Sequence, residues 1–290
     1  MYLTTQALRH SVHAVGFEPV VNPQSGVALN LDLTGRVALV AGGSKGIGRA
    51  IALELAGLGA SVAIGARGRE ALEDAATAIG AVGEAPYAFQ GDLCATETVE
   101  EMTTAVAERY GQIDILVNNV GDSIMGHDWR TGDAEWAAML ETSLMSAVRC
   151  SRAAIPHLLK SKHGRIINIS SVNGHQPPAG RGDYNAAKAA VLAFSKTLAN
   201  ELAPTVTVNS VCPARIDTPL WRRMAETMLD DTKQTVDEVL DSVAKRDVPM
   251  ARFGRPEEVA ALTAFLASDH GAWITGVAYN IDGGYTKSST

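Results

Sequence analysis

Residues 36–48 read RVALVAGGSKGIG: Arg36, the apolar run Val37-Ala38-Leu39-Val40-Ala41, then Gly42-Gly43-Ser44-Lys45-Gly46-Ile47-Gly48. A short apolar, β-branched run that stops at paired glycines has the length and composition of a buried strand. The residues from Ile47 onward turn to a helical composition rich in Ala, Leu and Ile. Glycines at 42, 46 and 48 let the backbone turn sharply at this junction, approach a pyrophosphate closely and pack the helix on the strand. A helix beginning there directs unpaired N–H groups and a positive dipole end at the same spot. The stretch therefore predicts a phosphate cradle made by Gly42, Gly43, Ser44, Lys45, Gly46, Ile47 and Gly48. It is not the loop of a nucleoside triphosphatase, because the Lys-Ser/Thr pair that closes such a loop is missing.

Outward from this junction the same alternation continues. Strands are expected over 36–41, 61–66, 87–90, 114–118, 165–170, 206–211 and 277–281. Helices are expected over 47–58, 69–79, 96–110, 134–160, 183–202 and 256–267. Apolar strands alternating with helices specify an α/β protein: a single Rossmann-like, doubly wound parallel sheet with helices on both faces. Residues 1–33 lack any period and read as an N-terminal extension, an arm or a flexible segment. Residues 34–290 form the dinucleotide-binding and catalytic domain. Within it, 218–248 breaks the rhythm and is rich in Met and Leu. It follows the sixth strand, on the face where such sheets bind ligands, and reads as a substrate lid.

Composition narrows the function. The 290 residues carry 32 acidic and 25 basic side chains, a formal net charge of −7. No basic cluster stands out, which argues against nucleic-acid binding. Cys94, Cys150 and Cys212 are odd in number and far apart, so neither a disulfide framework nor a zinc site is expected. The histidines are scattered and no metal set emerges. No apolar run approaches the roughly 20 residues that a membrane helix needs. The N-terminus lacks the pattern of a secretory signal, and a cytoplasmic protein with reduced thiols is expected.

Tyr184 and Lys188 lie four residues apart within the predicted helix 183–202, so they share one face. Together with Gly-x-x-x-Gly-x-Gly, Asn118-Asn119-Val120-Gly121, Ser171, Pro213, Thr218 and Asp282-Gly283-Gly284, they form an ordered series over roughly 34–285. This series resembles the short-chain dehydrogenase/reductase family. The resemblance implies Ser171, Tyr184 and Lys188 as catalytic residues, with Ser143 where the family carries a catalytic asparagine. Ser171 would hold a carbonyl oxygen, and Lys188 the nicotinamide ribose. Asp92 and Leu93 would lie beside the adenine, Asn119 beside the ribose, and Ile216 and Thr218 at the nicotinamide carboxamide. An ammonium and an oxidised nicotinamide near Tyr184 would bring its pKa down from about 10, making it a useful acid and base. Ala41 and Ala214 depart from the family's threonine and glycine.

The cofactor follows from the end of the second strand, where Ala66-Arg67 stands in place of an acid. An acid would bind a ribose 2′-hydroxyl, whereas Arg67 and Lys45 favour a 2′-phosphate, hence NADP(H). Met125, Trp129, Trp221, Met224 and Met228 read as an apolar pocket lining, implying hydride transfer between NADPH and a moderately hydrophobic ketone or secondary alcohol. Reduction of 3-oxoacyl groups on acyl carrier protein is an alternative, weakened by Gly121-Asp122-Ser123-Ile124 in place of Ile-Thr-Arg-Asp. A non-catalytic NADP(H)-binding sensor and a lyase or epimerase are further readings. The family implies a homotetramer or homodimer through the helix over 183–202.

Overall fold

The computed structural model describes residues 31–229 and 234–287. The expected arm thus falls almost wholly outside the described residues. Strand β1 (Val37–Ala41) is buried along its whole length. It pairs in parallel with β2 (Ser61–Ala66) on one side and β4 (Ile115–Asn118) on the other. With β3 (Tyr87–Gln90), β5 (Gly164–Ile169), β6 (Val206–Pro213) and β7 (Ala278–Ile281), they form a seven-stranded sheet of order β3-β2-β1-β4-β5-β6-β7. Every pairing is parallel. The order reverses between β1 and β4, and in open α/β sheets ligands bind in the crevice beyond that point.

Alternation along β1 divides the core between two layers. Val40 packs with Ile51 and Leu55 of α1 (Gly46–Gly57) and with Val259 and Leu266 of α9 (Pro256–Ala267). Leu39 faces the opposite layer, with Met102 and Val106 of α3 (Thr96–Tyr110), Leu158 of α5 (Ser146–Leu158) and Leu198 of α6 (Gly182–Leu202). Helix α2 (Arg69–Gly80) covers β2 and β3. Both faces being covered explains why the strands read as continuous apolar runs. Truncating one such side chain, as in Leu39→Ala, costs about 2–5 kcal/mol.

Three departures from the expected elements matter for the site. The helix expected over 134–160 is divided: α4 (Asp133–Leu140) passes through a π-helical turn, Glu141–Met145, before α5 begins. An inserted residue leaves the apolar period almost intact, so composition hides it. Strand β6 runs on to Pro213, because Cys212 and Pro213 pair with Asn280 and Ile281 of β7. The segment after β6 holds α7 (Pro219–Glu226) and α8 (Val236–Asp247). These two helices bury a small core of their own: Ala225, Val239, Leu240 and Val243, with Trp221, Met228 and Phe253 against it.

Candidate active site

A cleft of about 410 Å³ opens where the strand order reverses. Gly42, Ser44, Lys45, Gly46, Ile47, Arg67, Asp92, Leu93, Asn119 and Thr218 all line it. At Gly42, φ is +82°, a conformation that only glycine adopts without strain. A Cβ on Gly48 would overlap the Gly42 carbonyl, so the loop can close on itself only without that atom. Asn119 fastens the loop from the β4 side, its Nδ2 donating to the Gly42 carbonyl at 3.0 Å. Lys45 is the N-cap of α1 and its side chain caps nothing, leaving the first amides open to the cleft. Lys45 and Arg67 are exposed, and among the described residues neither forms an ion pair. Open amides, a glycine cradle and two free cations suit a dinucleotide pyrophosphate with an added 2′-phosphate.

Three residues expected at the cofactor stand elsewhere. Gly43 packs under the sheet, where a Cβ would lie 2.6 Å from Ile64 Cγ2, and Gly48 serves the loop's own closure. The Ile216 side chain is buried in the core; its main chain forms a parallel bridge with Gly254, and the residue lines a second cavity of about 270 Å³. Its apolar side chain follows the core, so only its main chain is free to serve a ligand. Leu93 is also largely buried, and Asp92 accepts from the Cys94 amide at 3.1 Å.

Beyond the cleft, Ser171, Tyr184 and Lys188 come together. Ser171 follows the end of β5, where its Oγ accepts from the Asn173 amide at 3.2 Å. Its hydroxyl is near enough to Tyr184 to favour the ionised phenol. Lys188, one turn along α6, places Nζ 5.9 Å from the Tyr184 ring centre and donates to the Ile169 carbonyl at 2.9 Å. Ser170 faces away, its Oγ donating to the Lys188 carbonyl. Burial holds the Lys188 ammonium down at about 8. Burial also pushes Tyr184 above the ordinary phenol value, against the Ser171 hydroxyl and the Arg181 charge. Leaving water favours the neutral form of both groups, and the cation whose charge acts on Tyr184 is Arg181.

Ser143 is buried within the π-helical turn. A Cβ on Gly121 would lie 3.3 Å from Lys188 Nζ and 3.7 Å from Ser143 Oγ, so both polar groups face the same backbone patch. Ser143 Oγ reaches Met139 Sδ at 3.4 Å. The hydroxyl that bonds a carbonyl one turn back is that of Ser146, to Thr142 at 2.6 Å. The π-helical turn distorts the helix at Ser143, but the serine–carbonyl bond beside it belongs to Ser146.

The expected apolar lining is largely spent on packing. Trp221 meets Phe253 edge-on at 5.2 Å, Met228 joins the same small core, and Met224 is buried. Met125 is exposed and Trp129 is 88% exposed. Arg181, outside every motif, is the cation whose charge acts on Tyr184. Arg181, half-buried at φ +55°, donates through Nη1 to Ser123 Oγ at 3.4 Å, and its amide donates to the His127 carbonyl. His127 Nδ1–H donates to the buried Asp183 at 2.6 Å. Arg215 lies between the rings of Trp221 (4.6 Å) and Tyr285 (4.8 Å). The signal available was Gly180-Arg181-Gly182, a cation between two glycines just before Tyr184.

Comparison with known proteins bears on the whole domain. A family profile described as Enoyl-(Acyl carrier protein) reductase matches residues 41–286. The chain is 39% identical over 258 residues to 3-oxoacyl-(acyl-carrier-protein) reductase of Escherichia coli, covering 88% of this chain and 98% of that one. It is 38% identical over 259 residues to the enzyme of the same name from Synechocystis, covering 87% and 97%. Among solved structures, L-sorbose reductase of Gluconobacter frateurii, complexed with NADPH and L-sorbose, superposes with a TM-score of 0.86 at 34% identity. That match covers 90% of this chain and all 100% of the other. An actinorhodin polyketide ketoreductase with NADPH gives 0.82 at 34% identity, covering 87% and 98%. The sheet order, the glycine cradle and these matches lead to one assignment: the chain belongs to the short-chain dehydrogenase/reductase family and is an oxidoreductase of that type.

Proposed function

We propose that the chain interconverts a carbonyl and a secondary alcohol with NADP(H), using Tyr184 as proton donor and acceptor. The observation that carries this reading is the meeting of Ser171, Tyr184 and Lys188, with Lys188 Nζ 5.9 Å from the Tyr184 ring centre, beside a glycine-lined cleft. Gly42, Ser44, Gly46 and the first amides of α1 would hold the pyrophosphate, and Lys45 and Arg67 the 2′-phosphate. When bound, NADPH supplies the hydride that goes to the carbonyl carbon. Ser171 orients the carbonyl oxygen, and Tyr184 gives that oxygen its phenolic proton. A phenol held above its ordinary value is protonated at neutral pH, as an acid for reduction must be. Lys188 supplies an ammonium beside the phenol and would hold the ribose hydroxyls. Support for NADPH comes also from the two NADPH-bound neighbours, both about a third identical to this chain.

A second substrate reading, a 3-oxoacyl group on a carrier, is favoured by the names of the two bacterial relatives. Oxidation of NADPH with a panel of ketones and one 3-oxoacyl thioester separates the two readings. Tyr184→Phe should lower turnover at least ~100-fold, the scale of general acid–base loss, while fluorescence titration still detects NADPH binding. Near-normal turnover in that variant would remove Tyr184 from the chemistry. A parent protein that binds NADPH but reduces none of these compounds would favour a sensor instead.

A further inference from the structure

The charges around Tyr184 do not balance. Arg181 has no acidic partner among the described residues; its guanidinium is tied only to the Ser123 hydroxyl. Arg215 donates to Asp247 at 3.0 Å, but Arg246 holds the same carboxylate at 2.7 and 3.0 Å. Arg215 and Arg246 therefore share one carboxylate, and Arg181 bonds none among the described residues. Of the other acids nearby, Asp122 pairs with Arg223 at 2.5 Å and Asp217 with Arg222 at 2.7 Å. Asp183 meets His127 through Oδ2, and its charge favours the ionised Arg181 without bonding it, its buried Oδ1 having no hydrogen-bond partner. Burial and the neighbouring Arg215 charge both work against the ionised form of Arg181. A guanidinium half out of water beside a second one is costly unless something anionic completes the set.

Arg181 is also held in place. Its backbone adopts the left-handed region, which is unfavourable for a side chain as large as arginine. The conformation is fixed on both sides by its amide bond to His127 and by Asn185, whose Nδ2 donates to the carbonyls of Pro178 and Gly180. Arg181 is the N-cap of α6, three residues before Tyr184, and its charge acts on the Tyr184 phenol. An anion held by Arg181 would consequently lie within a few bonds of a carbonyl at Tyr184.

Resting on the reductase reading above, we infer that Arg181, with Arg215 behind it, is an anion anchor and that the substrates are short oxo acids whose carboxylate lies close to the reacting carbonyl. A planar guanidinium matches a carboxylate with two parallel N–H···O bonds, and such charge-assisted pairs are the strong ones. The short span disfavours the carrier-bound reading, whose nearest phosphate lies at the far end of a long thiol arm. It also agrees with the loss of the expected apolar lining to internal packing.

The test compares 2-oxo-, 3-oxo- and 4-oxopentanoate, each with its methyl ester, as oxidants of NADPH. At least one acid should exceed its ester in kcat/KM by about 10-fold or more, and Arg181→Gln should lower that ratio towards one, chiefly through KM. Arg181→Lys should keep part of it. The ratio is the readout because Arg181 also acts on Tyr184, which lowers acid and ester together. Calorimetric titration of the same pairs in the presence of NADP+ reads binding without turnover. Acid-selective binding in the parent that Arg181→Gln abolishes upholds the anchor even where no compound is reduced, a result that would count against the reductase reading alone. Reduction of esters as fast as acids, with no acid preference in binding, overturns the anchor and leaves the reductase reading intact.

Discussion

At the scale of single residues, Lys188 carries a cost that can be measured. Its ammonium donates to the Ile169 carbonyl inside the core, and burial holds it at about 8 against an ordinary 10.5. Below about 8 the lysine is protonated in folded and unfolded chains alike, and folding bears the full cost of burying the charge. Above that value the folded protein releases the proton while the unfolded chain keeps it up to 10.5, so stability rises with pH. One proton of difference amounts to about 1.4 kcal/mol per pH unit. Cys150 and Cys212 act in the opposite sense, since burial raises both thiols from 9.0 to about 12 and the folded state then binds more protons. The clean window therefore lies between about 8 and 9. We expect Lys188→Met to be more stable than the parent to urea at pH 7, with the difference narrowing across that window. A difference that stays constant to pH 9 would mean that Lys188 is not depressed in the folded protein.

At the scale of elements, the π-helical turn Glu141–Met145 decides how the middle of the chain meets the site. It brings Ser143 to the backbone patch at Gly121 that Lys188 also faces. The Ser143 hydroxyl meets only the Met139 sulfur, a weak acceptor, while Ser146 supplies the bond to a backbone carbonyl. A weak neutral hydrogen bond contributes about 1 kcal/mol or less. Ser143→Ala should accordingly cost less than about 10-fold in kcat, far less than Tyr184→Phe, and Ser143→Asn should be tolerated. Measuring kcat and melting temperature together tests this. A loss in Ser143→Ala equal to that of Tyr184→Phe, with unchanged melting, would put the hydroxyl itself in the proton path. The same turn marks the limit of sequence reading. Strands buried on both faces announce themselves as apolar runs, so β1, β2, β4, β5 and β6 were legible from composition, and the half-exposed β3 and β7 from their place in the alternation. One inserted residue in a helix changes no composition, and 134–160 read as unbroken. Trp221, Met224 and Met228 were misread as pocket lining because an apolar side chain looks alike whether it meets a ligand or a neighbouring helix. Arg181 was passed over because its importance comes from a left-handed backbone and from acids already committed elsewhere, neither of which is written in local spacing.

At the scale of the whole molecule, a dinucleotide in the cleft would join parts of the chain far apart in sequence. Gly42 and Lys45 follow β1, Arg67 follows β2, Asp92 follows β3, Asn119 follows β4 and Thr218 begins α7. Beneath them a buried polar chain already ties the middle strands: Asn118 donates to Ser151 and Asn168, Asn168 to Ser195, and Ser210 to Ser195, at 2.7–3.0 Å. Because these bonds hold β4, β5 and β6 in register, binding at the strand ends is coupled to global unfolding rather than to fraying of one loop. A ligand at 100 times its Kd then stabilises the folded state by about 2.7 kcal/mol. For a chain of this size that is a rise in melting temperature of roughly 4–5 °C. With Lys45 and Arg67 exposed and without an ion pair among the described residues, the 2′-phosphate of NADP(H) would meet two cations that NAD(H) would leave unused. At equal concentration, NADPH should raise the melting temperature several degrees more than NADH. The double variant Lys45→Ala, Arg67→Ala should lose that excess and keep the response to NADH, since the glycine cradle and the first amides of α1 are untouched. Equal shifts in the parent would remove both cations from cofactor choice. An excess that survives in the double variant would mean that another group binds the 2′-phosphate, and Arg49, whose Nε is buried without a partner, would be the next residue to replace.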